Sequence, residues 1–295
     1  MEYFEAWMDA LIDVDAAYAY LSNYIAVIFL VEALLLLWIG KKIKDFTTSY
    51  DVDKQLAQSD NKAMAVSYTG YLIGQAIIVL AVMSGPSVDW VEGVIGVAIW
   101  SLVGILMLNL ARVVNNRFLL RHFCNVREII EDKNIGVGAV EAGSYIGTSL
   151  LLAAVVSGEQ PDWIADIIGA VLFFVVGQLG FVLFGWIYGK VTNYDLHKEM
   201  ERDNHAAGVS LGLTLIAVGV IVSKTVQYTV SLPAFAAWYI TGIFLILISR
   251  YLVDRLILPG HELDLEIAAD QNWGVALVEG GTAIMIAFLL DASFS

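Results

Sequence analysis

The run Ala76-Ile-Ile-Val-Leu-Ala-Val-Met83 is apolar throughout and shows no alternation of apolar with polar side chains. A membrane-spanning β-strand would alternate in this way, so the run belongs to a helix. About 20 mostly apolar residues carry a helix across the hydrocarbon core of a bilayer. Stretches of that length occur eight times, at about 21–41, 63–84, 91–113, 135–157, 163–189, 206–223, 229–252 and 273–292. The sequence therefore predicts an all-α, polytopic membrane bundle of eight transmembrane helices.

The overall composition agrees with a membrane protein. Of the 295 residues, 59% are apolar and 16% are charged, and the mean hydropathy is +0.73. Soluble domains are about half apolar and one quarter charged. The formal net charge of −14 argues against nucleic acid as a partner, and one cysteine, Cys124, rules out an internal disulfide framework. The partner that the composition predicts is the lipid bilayer.

The cations indicate how the chain is oriented in the membrane. All Lys and Arg residues but one lie in or beside four long connections, and only Lys224 lies near a short one. Cytoplasmic loops of membrane proteins are enriched in Lys and Arg. We therefore expect the long loops in the cytoplasm and both termini outside. The long connections are about 42–62, 114–134, 190–205 and 253–272.

The N-terminal segment 1–20 differs from a secretory signal peptide. It carries Glu and Asp residues where a signal peptide would carry positive charge. Trp7, Leu11 and Val14 are spaced by four and three positions, which is typical of an amphipathic helix lying on the outer surface. A solvated acidic tail is the alternative interpretation.

A two-helix unit occurs four times along the chain. An asparagine followed by small residues precedes each even-numbered span, and these asparagines recur at nearly equal intervals, at Asn61, Asn134, Asn204 and Asn272. Each unit comprises one helix, one long loop and a second helix. Asparagine is a good helix N-cap, because its side-chain oxygen accepts a backbone N–H of the first turn. Capping and a role in ligand binding or proton movement are the two interpretations of these residues.

Alternate units are more similar to each other than neighbouring units are. At the constant offset that places Arg112 on Arg250, identical residues match without a gap. The matched pairs include Gly70/Gly208, Trp100/Trp238, Gly104/Gly242, Asn134/Asn272 and Glu141/Glu279. The chain therefore divides into an outer segment 1–20 and two four-helix halves, 21–157 and 158–295. Because each half has an even number of spans, we expect parallel halves related by a pseudo-two-fold axis.

The even-numbered spans carry small residues at a spacing of four. Examples are Gly143-x-x-x-Gly147 and Gly208-x-x-x-Gly212. Small residues let helix backbones approach closely, and this close packing drives helix association in lipid. We therefore expect the even-numbered helices at the bundle centre and the bulkier odd-numbered helices outside.

Three glutamates, Glu32, Glu141 and Glu279, lie inside the predicted spans. A charge at that depth costs at least about 2.5 kcal/mol, so each needs a partner, water or a proton. Two alternatives remain open for the symmetry-related Glu141 and Glu279. They pair with Arg112 and Arg250, or they form a proton- or cation-linked site with Ser144 and Thr282. Glu32 has no symmetry mate and is either protonated or turned towards the bundle or a second subunit.

The remaining polar residues indicate neither a metal site nor a cofactor. The four histidines, His122, His197, His205 and His261, all lie in the long loops, and none has the spacing of a zinc or haem site. Phosphate-binding loops, dinucleotide fingerprints and hydrolase motifs do not occur. We therefore predict no metal, no cofactor and no enzymatic activity, with a membrane redox enzyme as the remote exception.

Two stretches carry a resemblance to a known family. They are Asp132-Lys-Asn-Ile-Gly-Val-Gly-Ala-Val-Glu-Ala-Gly143 and Asp270-Gln-Asn-Trp-Gly-Val-Ala-Leu-Val-Glu-Gly-Gly281. With the repeated two-helix unit, they resemble the YjfL-like bacterial inner-membrane proteins, a family of the DUF350 type. The resemblance covers nearly the whole chain after the outer segment and implies tandem copies. It also implies a bacterial inner-membrane setting, near envelope-stress proteins, and carries no established activity.

Three functional hypotheses follow from these observations. In the first, the protein transports a proton or a monovalent cation at Glu141 and Glu279. In the second, it is a scaffold whose cytoplasmic loops recruit a peripheral, envelope-stress type protein. The third is a membrane enzyme or electron carrier that uses the loop histidines. The sequence favours transport narrowly, and it leaves a homo-oligomer open.

Overall fold

The protein is all-helical in the computed structural model, which describes residues 23–85, 89–120, 125–156, 163–228 and 231–294. Eight long helices lie in these ranges, and each is long and apolar enough to cross a membrane. The predicted all-α bundle of eight spans is therefore confirmed, whereas the acidic segment 1–20 lies outside the described residues. The helices are α1 (Tyr24–Thr47), α2 (Lys62–Met83), α3 (Trp90–Val114), α4 (Ile135–Val156), α5 (Trp163–Val191), α6 (His205–Tyr228), α7 (Leu232–Leu252) and α8 (Trp273–Phe294).

Short helical segments order the long loops between these helices. π-helical turns at Asn115–Leu119 and Val253–Ile257 continue α3 and α7 directly, and a third lies at Lys54–Gln58. Short α-helices follow at Asn125–Ile130, Leu196–Glu201 and Leu263–Ala268. The loops therefore form a structured layer at one end of the bundle.

The eight long helices form two layers. The even-numbered helices make one row, in which α2 packs on α4, α4 on α6 and α6 on α8. The odd-numbered helices cover one side of that row, because α3 contacts α2 and α4, α5 contacts α4 and α6, and α7 contacts α6 and α8. The apolar part of α6 is 89% buried, whereas only 11% of that of α1 is buried. The even-numbered helices thus form the core, as their small residues predict.

Glycines bring the even-numbered helices into backbone contact. A Cβ atom added to Gly143 on α4 would overlap the carbonyl oxygen of Gly212 on α6. One added to Gly208 would overlap the Cα atom of Gly136. Such close approach maximises dispersion contacts, which are a main source of helix association in lipid.

The two halves repeat the same contacts, but the sequence offset between them is not constant. Gly104 on α3 packs against Ile78 on α2, and Gly242 on α7 packs against Ile221 on α6 in the same way. Ile221 is closer to Gly242 in the sequence than Ile78 is to Gly104. The second half is therefore shorter between these two positions.

The changed offset corrects one equivalence predicted from the sequence. Gly70 and Gly208 match at the constant offset, but they do not occupy equivalent places. Gly70 lies against Ala142 on the next even-numbered helix, whereas Gly208 lies against Gly136 on the preceding one. The residue equivalent to Gly70 is Leu213, the ninth after its asparagine, which packs against Gly280.

The junction between α4 and α6 joins the two halves. It is the most extensive helix–helix contact among the described residues. The row is nevertheless open at its ends, since α8 and α2 share no comparable contact in the described part of the chain. The four units thus follow one another along the row.

Candidate functional site

Each of the four asparagines begins an even-numbered helix. The side-chain oxygen of Asn61 accepts a hydrogen bond of 3.0 Å from the backbone N–H of Met64. Asn134, Asn204 and Asn272 accept equivalent bonds from the third residue that follows each of them. These bonds satisfy N–H groups that a helix start otherwise leaves without partners.

The residue before each asparagine has a left-handed backbone conformation. The four φ angles, at Asp60, Lys133, Asp203 and Gln271, lie between 45° and 60°. This conformation is uncommon for residues with a side chain and turns the chain sharply from the loop into the helix. The four units therefore share one backbone geometry as well as one capping residue.

The asparagine side chains also join consecutive units. The Nδ2 atom of Asn61 donates a hydrogen bond of 2.7 Å to the carbonyl oxygen of Ile129 in the loop of unit two. Asn134 donates in the same way to Met200, and Asn204 donates to Ile267. The bonds run from each unit to the next and hold the loops together as one layer.

A second acceptor for each of these amides comes from the unit itself. Glu128, Glu199 and Glu266 accept a bond from the asparagine that follows them, and Gln55 takes this place in unit one. Burial raises the pKa of Glu128, because the charged carboxylate loses solvation there. The hydrogen bond from Asn272, followed by that from His261, lowers the pKa of the more exposed Glu266.

A buried polar cluster lies between α2 and α4 in the first half. Glu141 is 3% exposed and accepts a hydrogen bond from the hydroxyl of Ser67 on α2. The ammonium of Lys44, at the end of α1, is fully buried, interacts electrostatically with Glu141 and donates a 2.9 Å bond to the Tyr145 hydroxyl. Arg112 also lies in this region, but its Nη2 atom donates to the carbonyl oxygen of Thr47 at 2.9 Å.

The second half holds an equivalent cluster between α6 and α8. Glu279 is fully buried and accepts a hydrogen bond from Ser210 on α6. The Tyr188 hydroxyl donates to its Oε1 atom at 2.9 Å, and Arg250 forms an ion pair with it. The other terminal nitrogen of Arg250 binds Asp264 at 2.5 Å. Glu279 is therefore held by three donors from three helices.

The two clusters differ in their ion pairs. Arg250 pairs with Glu279, but the ion pairs formed by the described residues do not include one between Arg112 and Glu141. Asp264 orients Arg250 in the second half. At the sequence offset that relates the two arginines, the residue that corresponds to Asp264 in the first half is Val126, which has no carboxylate. The first cluster instead has the additional cation Lys44. Of the two alternatives that the sequence left open, the arginine pairing is thus present in the second half and is not among the ion pairs described in the first.

The other predicted site residues lie apart from these hydrogen bonds. Ser144 is buried on α4, and the hydroxyl of Thr282 donates to the Val278 carbonyl of its own helix at 2.7 Å. Glu32 lies on the peripheral helix α1, and its Oε2 atom has no hydrogen-bond partner within the described residues. The serine hydroxyls that reach the carboxylates come from the preceding even-numbered helix instead.

Ser67 and Ser210 were not among the site residues predicted from the sequence. Each is the sixth residue after its asparagine, and each lies one helix away from an acid at the seventh position of the next unit. Counting from the asparagines, rather than at a constant offset, would have revealed this pairing. The position of Lys44 had no comparable signal, since a lysine at the end of a span is ordinarily solvated.

The described residues offer no metal site. No group of three or more His, Cys, Asp or Glu side chains that could bind a metal occurs among them. His261 lies 2.9 Å from Glu266, and His197 lies 3.2 Å from the Leu119 carbonyl oxygen. His122 and Cys124 are outside the described ranges.

Comparison with known proteins identifies the family. The profile of "Domain of Unknown Function (DUF350)" matches residues 17–156 and 162–294, and each match contains one buried Ser–Glu pair. A UPF0719 transmembrane protein of Aquifex aeolicus is 25% identical over 173 residues, which are 57% of this chain and 62% of that protein. The chain therefore spans less than two thirds of this relative's length.

A second relative is shorter. The UPF0719 transmembrane protein YshE of Bacillus subtilis is 23% identical over 130 residues, which are 44% of this chain and 96% of that protein. No solved structure matches the chain. The two profile matches and the eight spans agree with the resemblance and the multi-pass membrane setting predicted from the sequence. The chain is a transmembrane protein that belongs to the DUF350 (UPF0719) family, of which it carries two copies in tandem.

Proposed function

We propose that the protein moves protons or monovalent cations across a bacterial inner membrane, and that Glu141 is the group that exchanges them. The observation that carries this proposal is the asymmetry between two otherwise equivalent buried acids. Glu279 is fixed by an arginine, a tyrosine and a serine. Glu141 receives a hydrogen bond from Ser67, and the ion pairs of the described residues do not join it to Arg112.

The surroundings of Glu141 favour a change of protonation. Ionisable groups inside spans are costly, and in membrane proteins they commonly mark proton relays and ion pathways. Lys44 and Arg112 both lie in the region around Glu141, but each makes its own hydrogen bond elsewhere. A serine hydroxyl can donate to the ionised carboxylate or accept from the protonated one. Glu141 can therefore keep this hydrogen bond in both states.

The second cluster supplies the contrast. Arg250 joins Glu279 to Asp264, so removal of the charge on Glu279 would leave a buried guanidinium with one carboxylate fewer. Breaking a buried ion pair in this way is strongly destabilising. We assign Glu279 a structural role and Glu141 the exchanging role.

Flux into proteoliposomes tests the proposal. The purified protein is reconstituted with an internal pH-sensitive dye, and proton entry is driven by a potassium diffusion potential; sodium and potassium uptake are measured in parallel. We expect wild-type flux to fall at least tenfold in Glu141→Gln protein, and to fall partly in Ser67→Ala protein. Ser210→Ala is the matched control and should retain flux. Absence of flux in the wild type, or equal flux in Glu141→Gln, would refute the proposal.

The orientation belongs to the same proposal. In the sequence, all cations except Lys224 lie in or beside the four long loops, which supports long loops in the cytoplasm and both termini outside. Labelling of single cysteines in intact cells by a membrane-impermeant maleimide measures this directly, in protein whose Cys124 is replaced by serine. Lys224→Cys should react and Lys133→Cys should not. The reverse pattern would show that the orientation is opposite to the one proposed.

A scaffold function is favoured by a different observation. The bonds from Asn61, Asn134 and Asn204 hold the loops as one layer, on which Arg127 is 66% exposed beside two acidic residues. An ordered, charged layer suits the docking of a peripheral protein. This function predicts no flux in proteoliposomes, and a partner that co-purifies with the wild type but not with Arg127→Glu protein. Co-purification unchanged by that substitution would contradict it.

A further inference from the structure

One helix–helix junction occurs three times within the chain. The second and ninth residues after an asparagine pack against the fourth and eighth residues of the next unit. Gly143, a ninth residue, lies against Gly212, an eighth residue, while Gly136 lies against Gly208. The same junction forms between α2 and α4 and between α6 and α8.

Among the described residues, none packs against the last unit's half of this junction. A Cβ atom added to Gly281, the ninth residue after Asn272, would meet no described atom within 4 Å. One added to Gly274, the second residue, would meet only the side-chain oxygen of Asn272 itself. At the equivalent Gly143, the backbone of α6 fills this space. The open face of α8 thus retains the glycines of a close junction.

The first unit presents the complementary half at the other end of the row. Its fourth and eighth residues after Asn61 are Ala65 and Thr69, which are small, like their counterparts in units two to four. Thr69 is exposed and Ala65 is partly exposed, whereas the corresponding residues of α4 and α6 are buried. The two ends of the row therefore match.

The inter-unit hydrogen bonds of the asparagines are likewise unmatched at the two ends of the row. Asn61, Asn134 and Asn204 each donate to a carbonyl of the following unit, whereas the described hydrogen bonds of Asn272 stay within its own unit. The carbonyl that would correspond in unit one is that of Leu56, the fifth residue before its asparagine, as Ile129 and Ile267 are before theirs. Among the described hydrogen bonds, none from a side chain outside unit one reaches Leu56.

Helix α1 shows the same incomplete packing. Its counterpart α5 packs on both α4 and α6, and Gln178 of α5 donates to Thr148 of α4 at 2.9 Å. The hydroxyls of Thr48 and Thr192 each donate to the carbonyl oxygen two residues further on, and this shared turn shows which residues of α1 and α5 correspond. Leu34 of α1 then corresponds to the buried Gln178, yet it is 58% exposed.

From these observations we infer that copies of this chain assemble head to tail. Helix α8 of one copy packs on α2 and α1 of the next, which continues the internal junction from molecule to molecule. The occupant of both open faces is a second copy, because both halves of an interface already formed three times in the chain are present. Such a heterologous contact closes into a ring or extends as a row, according to the rotation between copies.

Cross-linking between single-cysteine proteins tests the direction of the contact. In protein with Cys124 replaced by serine, Gly281→Cys is placed on one population and Thr69→Cys on another. The two are co-reconstituted in lipid and oxidised. We expect a disulfide dimer from the mixture only. Dimers of Gly281→Cys alone would show a symmetric contact instead, and absence of any dimer would overturn the inference.

A second measurement does not depend on disulfide geometry. The mass of the protein in mild detergent and in nanodiscs should exceed that of one chain, and Gly281→Trp, which is larger than the Leu213 that the junction accepts at the same position of unit three, should reduce it to the monomer. Gly96→Trp is the matched control, since Gly96 on α3 also has nothing within 4 Å among the described residues but lies on no junction. A monomeric wild type, or an equal loss of assembly in both variants, would overturn the inference. Neither result depends on transport.

Discussion

The inter-unit asparagine bonds give a prediction whose size follows from the structure. Asn204→Ala removes the cap of α6, which is worth about 1 kcal/mol. It also removes the donor to the Ile267 carbonyl, and a buried acceptor without a partner costs about 1–3 kcal/mol more. We expect the free energy of unfolding to fall by about 2–4 kcal/mol.

Asn272→Ala is the matched variant, because it removes the same cap without an inter-unit bond. Glu266, which accepts a hydrogen bond from the Asn272 amide, keeps its contact with His261 after the substitution. We expect a loss of about 1 kcal/mol, from the cap alone. Both substitutions are made in the Gly281→Trp background, so that no neighbouring copy supplies an acceptor to Asn272.

The assay is equilibrium unfolding in mixed micelles, followed by tryptophan fluorescence. Asn204→Asp and Asn272→Asp add a second comparison, since aspartate keeps the capping oxygen and loses the donor. Asn204→Asp should lose more stability than Asn272→Asp. Equal losses in the two alanine variants would refute the argument that these side chains join the units as well as cap them.

Two further predictions concern packing and charge. Gly143→Ala should destabilise the protein by about 1–3 kcal/mol, because its Cβ would overlap the Gly212 backbone. Gly281→Ala should leave the stability of the monomer unchanged. Thermal unfolding in detergent compares the two variants, and similar losses of stability would contradict the close contact at Gly143. Burial raises the pKa of Glu128, so that this carboxyl favours the fold when protonated and loses that contribution as the pH rises through its folded-state pKa. Glu128→Gln should therefore be more stable than wild type at pH 7, and this gain should disappear by about pH 4, below the ordinary pKa of a glutamate; a gain independent of pH would contradict it.

The sequence was sufficient to predict the helices and their repeat. Uninterrupted apolar runs such as Ala76–Met83 fix the spans, since backbone in lipid must bond within its own helix. The asparagines mark the start of each even-numbered helix through a local hydrogen bond. The small residues, in turn, predict which helices form the core. All of these signals are short in range and independent of the rest of the chain.

The difference between the two acid clusters could not be predicted in this way. Glu141 and Glu279 lie in similar stretches, and both arginines occupy matching positions. What separates the clusters is a third residue from a distant segment, Asp264 in one half and Lys44 in the other. Their contacts depend on how helices and loops pack in three dimensions.

The junction between α4 and α6 lies within one polypeptide, and this has a consequence for assembly. Helices that share a chain meet at an effective concentration set by the connection between them, so their contact forms in every folded molecule. The contact of α8 with α2 of another copy obeys mass action instead. Its occupancy rises with the number of molecules per area of membrane. Tandem duplication thus makes the interface permanent within the chain, whereas the same interface between chains depends on how abundant the protein is in the membrane.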